Sequence, residues 1–123
     1  MRFQDLLAYQ KSFDLAMKIF QITKRFPKEE MYSLTDQIRR SSRSVTVTIA
    51  ESYRKRVFPK HFHSKLTDAD AENSETIVWL EFALKCSYID EIEFEELNSN
   101  CIEIGKLINY MILNPKKFGV KDK

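Results

Sequence analysis

Glycine and proline are scarce in this chain of 123 residues, which contains two glycines and three prolines. Domains rich in β-sheet need many tight turns, and these two residues supply most of the backbone conformations that such turns require. A chain with so few of them is therefore poorly suited to a β-rich fold. We predict an all-α protein.

Long apolar runs and cysteine clusters are also missing. No stretch approaches the ~20 apolar residues of a membrane span, and the N-terminal residues lack a secretory pattern, so we expect a cytoplasmic protein with no membrane contact. The two cysteines, Cys86 and Cys101, are too far apart for a CxxC motif. Because they fall on successive antiparallel helices, we expect free thiols in the core or at an interface, without a disulfide.

The side-chain groupings that indicate catalysis are missing as well. The two glycines, Gly105 and Gly119, form no phosphate-binding or dinucleotide loop, and no Gly-x-Ser-x-Gly elbow occurs. His61 and His63 lie two residues apart on a predicted helix, so their rings point about 200° apart and cannot chelate one metal ion. The Glu-x-x-His motif of carboxylate-bridged metal sites is absent too. We predict a protein that is not an enzyme and has no cofactor or metal.

Four segments show the apolar spacing of amphipathic helices. We predict helices over residues 5–25, 32–55, 60–86 and 91–113. The three prolines fall at or near the ends of these segments, and Ser33 and Asp90 are the expected caps of the second and fourth helices. Because the connections are short, the predicted fold is a single domain over residues 1–123, an antiparallel up-down-up-down four-helix bundle.

Core-facing positions repeat at intervals of three and four residues. In the third helix this seam contains Phe62, Leu66, Ala69, Asn73, Thr76, Leu80 and Ala83. In the fourth helix it contains Phe94, Leu97, Cys101, Ile104, Ile108 and Met111. In the first helix we place Leu6, Phe13, Ala16 and Phe20 on the apolar side, and this face is widened by Leu15, Ile19, Ile22 and Phe26. Because Asn73 and Thr76 are polar, we expect both to be hydrogen-bonded and to fix the register of the helices.

The second helix carries two separate stripes. Its core stripe consists of Leu34, Ile38, Val45, Ile49 and Tyr53. A neighbouring arc about 100° wide contains Arg39, Arg40, Arg43 and Arg54. We interpret these four arginines as a candidate nucleic-acid-binding face, although a solvated helix surface would look the same. Glu51 lies three residues before Arg54 and is expected to pair with it.

This helix also contains four β-branched residues in a row, at positions 45–48. β-Branched side chains lose rotamer freedom in a helix and so lower its intrinsic stability. We therefore expect tertiary packing, rather than helix propensity, to hold the second helix together.

Charge is unevenly distributed along the chain. Residues 1–67 contain 14 Lys and Arg against 6 Asp and Glu, a net charge of +8. Residues 68–123 contain 6 against 12, a net charge of −6. Such asymmetry fits either an anionic ligand on the basic half or subunits that meet basic side to acidic side.

The third helix has a second apolar strip, which points away from its core seam. Val78, Trp79 and Phe82 form this strip, with Cys86 at its end. Exposure of large apolar side chains is unfavourable for a small soluble domain, and a subunit interface would cover them. We predict that Val78, Trp79 and Phe82 form an oligomer interface, the alternative being a wide core within one subunit.

Five short segments, taken in order along the chain, carry a resemblance to a known family. They are Phe3-Gln4-Asp5-Leu6, Phe26-Pro27-Lys28-Glu29-Glu30, Leu34-Thr35-Asp36-Gln37-Ile38-Arg39-Arg40-Ser41, Ile49-Ala50-Glu51 and, after Glu75, Trp79-Leu80-Glu81-Phe82-Ala83. Together they resemble the four-helix bundles encoded in intervening sequences of the 23S ribosomal RNA gene. Members usually read Asn-Ile-Ala-Glu-Gly where this chain has Thr48-Ile49-Ala50-Glu51-Ser52.

The resemblance carries expectations about assembly and partners. The family is bacterial and similar in fold to the accessory variability determinant of diversity-generating retroelements, which forms homopentamers that bind reverse transcriptase and nucleic acid. It therefore implies a homopentamer, with RNA or DNA and a nucleic-acid-processing protein as candidate partners. The roles of the individual arginines come from the helical wheel and not from a family motif.

We thus predict a non-enzymatic, homo-oligomeric bundle that binds RNA or DNA through the four arginines of its second helix. The alternative is a structural or protein-interaction module whose basic and acidic faces pair between subunits, without nucleic-acid binding. Apart from Tyr53, no aromatic residue lies within the arginine run, so the sequence does not indicate base stacking.

Overall fold

Four α-helices make up most of the chain in the computed structural model, which describes residues 1–121. They are α1 (Leu7–Thr23), α2 (Leu34–Arg54), α3 (Pro59–Lys85) and α4 (Glu91–Leu113). Short 3-10 turns precede α1, connect α1 to α2 and follow α4, at Phe3–Asp5, Lys28–Glu30 and Pro115–Phe118. No strand occurs within residues 1–121, so the all-α prediction is confirmed, and every helix end lies within two residues of its predicted position.

Each helix packs against the next one along the chain, and α4 returns to pack against α1. The cross-helix contacts run in opposite residue order, as in the hydrogen bonds from Arg39 to Thr23 and from Thr46 to Ser12 between α2 and α1. This order shows an antiparallel pair, and the predicted four-helix bundle is confirmed. Among the described helices, none is long and apolar enough to cross a bilayer.

The predicted core stripes of α2, α3 and α4 are buried. All five α2 positions and all seven α3 positions lie inside the bundle, and only Phe94 of the six α4 positions is partly exposed. The helical period therefore located the core on three of the four helices. Apolar burial of this kind is the main stabilising contribution in such a bundle.

The prediction for α1 is partly wrong. Of the eight residues assigned to its apolar face, five are buried: Leu6, Leu15, Ala16, Ile19 and Phe26. Phe13, however, is 48% exposed, and Phe20 and Ile22 are only partly buried. The buried side of α1 consists of Ala8, Ser12, Leu15, Ala16, Ile19 and Thr23. Apolar residues occur around most of the circumference of α1, so its helical wheel does not specify which side faces the core. Small side chains with hydroxyl groups can lie on the buried side because neighbouring groups form hydrogen bonds with them. The Thr46 hydroxyl, for example, donates to the Ser12 hydroxyl at 3.0 Å.

The two polar residues in the α3 seam are hydrogen-bonded, as predicted. The Thr76 hydroxyl lies 2.8 Å from that of Ser41 on α2. The Asn73 amide nitrogen donates to the Cys101 carbonyl oxygen on α4 at 2.8 Å. A Cβ atom at Gly105 would lie 3.4 Å from this nitrogen, in ordinary van der Waals contact, so this hydrogen bond does not depend on glycine there. The polar pairs thus connect α3 to both of its neighbours.

Two positions that depart from the usual family pattern are buried in α2. Thr48 is 7% exposed and Ser52 is fully buried. The Ser52 hydroxyl donates to the Ile49 carbonyl oxygen one turn earlier, at 2.7 Å. Its position therefore accommodates a small side chain whose polar atom is satisfied within its own helix.

Both cysteines are free thiols in different environments. Cys101 is buried in the core, and burial raises the pKa of its thiol to about 12. Because the thiolate is the reactive form, this side chain behaves as a small apolar residue. Cys86 is exposed at the end of α3, outside the core of the subunit, so of the two expected positions only an interface remains open to it.

The start of α2 is capped by Glu30 rather than by Ser33, which corrects that prediction. Glu30 Oε1 accepts hydrogen bonds from the Leu34 N–H (3.2 Å) and the Ser33 hydroxyl (2.6 Å). Glu30 Oε2 accepts one from the Tyr88 hydroxyl (2.8 Å), which lies between α3 and α4. These hydrogen bonds, of which the one from Ser33 has the largest effect, lower the pKa of Glu30. The hydrogen bond to Glu30 in turn raises the pKa of Tyr88 to about 12.

Glu30→Gln is expected to return the pKa of Tyr88 toward its ordinary value of 10.0, because the charged acceptor that favours the neutral phenol is lost. In the native protein the raised pKa of Tyr88 stabilises the fold below pH 10.0, and this stabilisation is lost as pH rises through about 12. The lowered pKa of Glu30 stabilises the fold above pH 4.5, and this is lost on acidification.

The measurement is an alkaline titration of tyrosinate absorbance. Tyr88→Phe identifies the native transition that belongs to this residue. A titration curve of Glu30→Gln identical to the native curve would contradict the pairing of Glu30 with Tyr88.

Candidate nucleic-acid interface

The four predicted arginines all lie on α2, and α1 fixes the position of one of them. Arg40, Arg43 and Arg54 are exposed, whereas Arg39 is partly buried. The Nε–H of Arg39 donates to Thr23 Oγ1 on α1 at 2.8 Å. Arg39 therefore supports the packing of α2 on α1 and also presents its positive charge at the surface.

An aromatic ring from α1 lies beneath these arginines. The guanidinium carbon of Arg39 is 4.8 Å from the centre of the Phe20 ring, and that of Arg43 is 5.4 Å from it. Lys24 Nζ lies 4.8 Å from the same ring centre. These are cation–π distances, so Phe20 holds three cations close together at one end of the α1–α2 surface. The sequence of α2 alone gave no sign of this ring.

None of the four arginines pairs with a carboxylate within residues 1–121. The expected pairing of Glu51 with Arg54 is wrong, because the Glu51 carboxylate lies 3.5 Å from Lys65 Nζ on α3 instead. Glu51 and Lys65 thus form an ion pair across the α2–α3 boundary. The arginine charges are therefore available to an anion from outside the subunit.

Cations on α1 are in a different state. Lys11 pairs with Glu103 of α4 and Lys18 with Glu96, and Arg25, just after the end of α1, pairs with Glu93. Part of the acidic second half of the chain is thus paired inside the subunit. By contrast, the four arginines of α2 have no carboxylate partner within residues 1–121.

A groove between α1 and α2 adjoins the arginines. We call it the α1–α2 groove; it has a volume of about 540 Å³. Its apolar lining includes Phe3, Tyr9, Phe13, Met17, Val47 and Ala50, and Arg43, Arg54 and Glu51 are at its rim. Val47, which lay within the arginine arc of the sequence, is 57% exposed here. The basic surface is therefore also an apolar one.

The predicted oligomer interface is an exposed apolar patch on α3. Val78 is 45% exposed and Phe82 is 53% exposed. Trp79 is partly buried, its ring lies 5.8 Å from that of Phe82, and its indole N–H has no partner within the described chain. Trp79 and Phe82 line a groove together with Leu34 at the start of α2. A single subunit leaves this patch uncovered.

The two histidines are exposed on the first turn of α3. Among the first 121 residues, no group of three or more His, Cys, Asp or Glu side chains is placed to hold a metal ion. The sequence-based prediction of a protein without enzymatic activity stays a prediction.

Comparison with known proteins identifies a family and solved structures of similar fold. A family model described as 23S rRNA-intervening sequence protein matches residues 4–110. The chain is similar to a protein of unknown function from the S23 ribosomal protein family of Bacteroides thetaiotaomicron, whose structure is solved. The two are 30% identical with a TM-score of 0.78, over 86% of this chain and 95% of the other. No curated protein shows significant similarity to the chain.

Proposed function

The chain belongs to the family of 23S rRNA-intervening sequence proteins, and on that premise we propose that it is a non-enzymatic, homo-oligomeric bundle that binds RNA or DNA through the arginines of α2. The observation that carries the proposal is the contrast between its two sets of cations. Those facing α4 are ion-paired, whereas Arg39, Arg40, Arg43 and Arg54 have no carboxylate partner within residues 1–121. Guanidinium groups bind phosphate oxygens through two parallel hydrogen bonds.

The length of the arginine face suits a phosphate backbone. Arg39 and Arg54 are fifteen residues apart, which is about 22 Å along a helix. One nucleic-acid strand carries a phosphate about every 3.4 Å along a duplex axis, so several phosphates fall within reach. Contacts of this kind position a nucleic acid without reading its bases, and we expect little sequence specificity.

Assembly would multiply this modest face. The exposed strip of Val78, Trp79 and Phe82 supports an interface with a second copy, because a partner surface would cover its aromatic rings. A homopentamer is the subunit number that the family resemblance implies. Arginine faces repeated around a ring would bind one long polyanion more tightly than a single face.

A second candidate function is a protein-interaction module in which the arginines meet acidic side chains of a neighbouring subunit. The apolar floor of the α1–α2 groove favours it, since phosphate binding alone does not require such a floor. Asp68 and Glu75 on α3 have no ion-pair partner within the described chain and would be candidate acids. In this arrangement the arginines hold subunits together and bind no nucleic acid.

Replacing Arg39, Arg43 and Arg54 together by alanine is expected to weaken nucleic-acid binding and its salt dependence in parallel. A plot of the logarithm of the binding constant against that of the salt concentration has a negative slope, and each lost phosphate contact reduces its magnitude by about 0.9 for duplex DNA. The loss of three contacts therefore reduces the magnitude by about 2.7. The measurement is fluorescence anisotropy of a labelled structured RNA and a labelled duplex DNA across a salt series.

The matched control replaces Lys11, Lys18 and Arg25 by alanine, which removes the same charge from the ion-paired seam. This control is expected to keep the native salt slope, and both variants are expected to keep the native subunit number in sedimentation. Absence of native binding at ~50 mM salt would contradict the proposal, because phosphate contacts are strong in that range. Dissociation of the arginine variant into smaller species would instead favour the protein-interaction module.

A further inference from the structure

Aromatic faces line the α1–α2 groove on the side opposite the arginines. Tyr9 and Phe13 lie one turn apart on α1, with ring centres 6.0 Å apart and planes inclined by 36°. Phe13 is 48% exposed, and the Tyr9 ring is partly exposed. Neither ring is covered by a cation as Phe20 is. The Tyr9 ring also packs against that of Phe3, with ring centres 5.2 Å apart, so Phe13 offers the larger free area to a flat apolar partner and Tyr9 extends it.

The floor of the groove is apolar and open. Met17 is 47% exposed and Val47 is 57% exposed, one from each helix. Together with Phe13 they form a continuous apolar surface between α1 and α2. A surface of this kind marks a binding site more often than an isolated exposed residue does.

The positive charges at the rim of the groove favour a negatively charged ligand. Arg43 and Arg54 border the groove, and neither has a carboxylate partner within residues 1–121. The single acid at the rim, Glu51, pairs with Lys65. An occupant thus needs apolar faces for the floor and negative charges for the rim, spaced along the helix axis.

Single-stranded nucleic acid has this chemistry, whereas a duplex does not. Unpaired bases stack on aromatic side chains while their phosphates contact basic residues. In a duplex the base faces are already stacked on one another, so the duplex reaches only the rim arginines. Arg43 and Arg54 are eleven residues apart, about 16 Å along α2, which matches about five nucleotides at duplex spacing.

We propose that the α1–α2 groove binds single-stranded RNA or DNA, with bases stacked on Tyr9 and Phe13 and phosphates bound by Arg43 and Arg54. The inference rests on the proposed function and specifies its ligand. It also assigns a role to aromatic residues of α1, which lie outside the arginine run of the sequence.

The test compares three labelled probes: an oligothymidylate of about 12 nucleotides, an abasic strand of equal length and a DNA duplex. Phe13→Leu keeps an apolar side chain but removes the aromatic face. Since each base–aromatic stack strengthens binding, we expect this variant to bind the oligothymidylate about tenfold more weakly. Its affinity for the abasic strand and the duplex is expected to stay native, and Phe13→Trp is expected to retain oligothymidylate binding.

Phe58→Leu is the matched control, because Phe58 is 50% exposed at the turn between α2 and α3, outside the groove. It is expected to bind all three probes like the native protein. If Phe13→Leu leaves oligothymidylate binding unchanged while the triple arginine variant weakens it, the groove proposal is wrong and the proposed function stands. If no probe binds the native protein, both are wrong. A change in subunit number in Phe13→Leu would show that another copy of the chain occupies the groove, which also overturns the inference.

Discussion

Ile49→Ala is expected to lower the free energy of unfolding by about 3 kcal/mol, a large part of the stability of a small domain. Ile49 is fully buried in the middle of α2. The substitution removes three buried carbon atoms and leaves a cavity that the surrounding helices fill only in part. The loss combines the transfer free energy of the missing groups with the contacts that their neighbours lose.

The effect is also expected to reach the arginine face. The β-branched run at residues 45–48 lowers the intrinsic stability of α2, so the helix depends on its buried side. Ile49 lies between Arg43 and Arg54 on the same helix. Weaker packing of its buried side would therefore loosen the element that positions these two arginines.

Val47→Ala is the matched control, because Val47 is two residues away and 57% exposed. Its substitution removes little buried surface and introduces a better helix former, so the free energy of unfolding is expected to change by less than about 0.5 kcal/mol. Urea denaturation followed by circular dichroism gives both values. Equal losses in the two variants would contradict the view that burial stabilises α2.

Phe82→Glu is expected to dissociate the proposed oligomer. Aromatic residues at the centre of an interface contribute about 2 kcal/mol or more each, and a buried unpaired charge adds a further cost. We expect subunit affinity to fall by at least about a hundredfold and sedimentation to show smaller species. Phe82 is 53% exposed in the subunit, so the fold itself should tolerate the change.

Trp79 provides an internal reporter for the same experiment. It is the single tryptophan of the chain, and its ring contacts that of Phe82. Dissociation, whether by dilution of the native protein or by Phe82→Glu, is expected to shift its emission to longer wavelength as water reaches the ring. Ile92→Glu is the control, since Ile92 is 82% exposed at the start of α4 and should leave the assembly intact. A monomeric native protein, or an unchanged subunit number in Phe82→Glu, would contradict the predicted interface.

Much of the fold was predictable because it depends on contacts that lie close together in sequence. The α3 seam repeats at three and four residues over seven positions, and all seven are buried. Asp90 caps α4 as predicted: its carboxylate accepts a hydrogen bond from the Glu93 N–H at 2.8 Å, and the Glu93 carboxylate accepts one from the Asp90 N–H at 3.1 Å. Both features arise from local helix geometry, which a single sequence specifies.

The candidate site was only half predictable. The α2 wheel brought together Arg39, Arg40, Arg43 and Arg54, because these residues share one helix. The rings that accompany them, Phe13 and Phe20, belong to α1, and the sequence assigned both to the core. Nothing in the α2 pattern indicates which side of α1 faces it.

The sequence by itself determined the four helices, the core stripes of α2, α3 and α4, and the presence of a basic arc, because 3.6-residue periodicity and capping operate within one helix. Tertiary structure decided which side of α1 is buried, that Glu51 pairs with Lys65, and that Glu30 caps α2 and binds Tyr88. Each of these depends on a side chain from another part of the chain that competes for the same position. Packing and hydrogen bonding between helices decide which side chain occupies the position, and the local pattern of residues carries no information about these contacts.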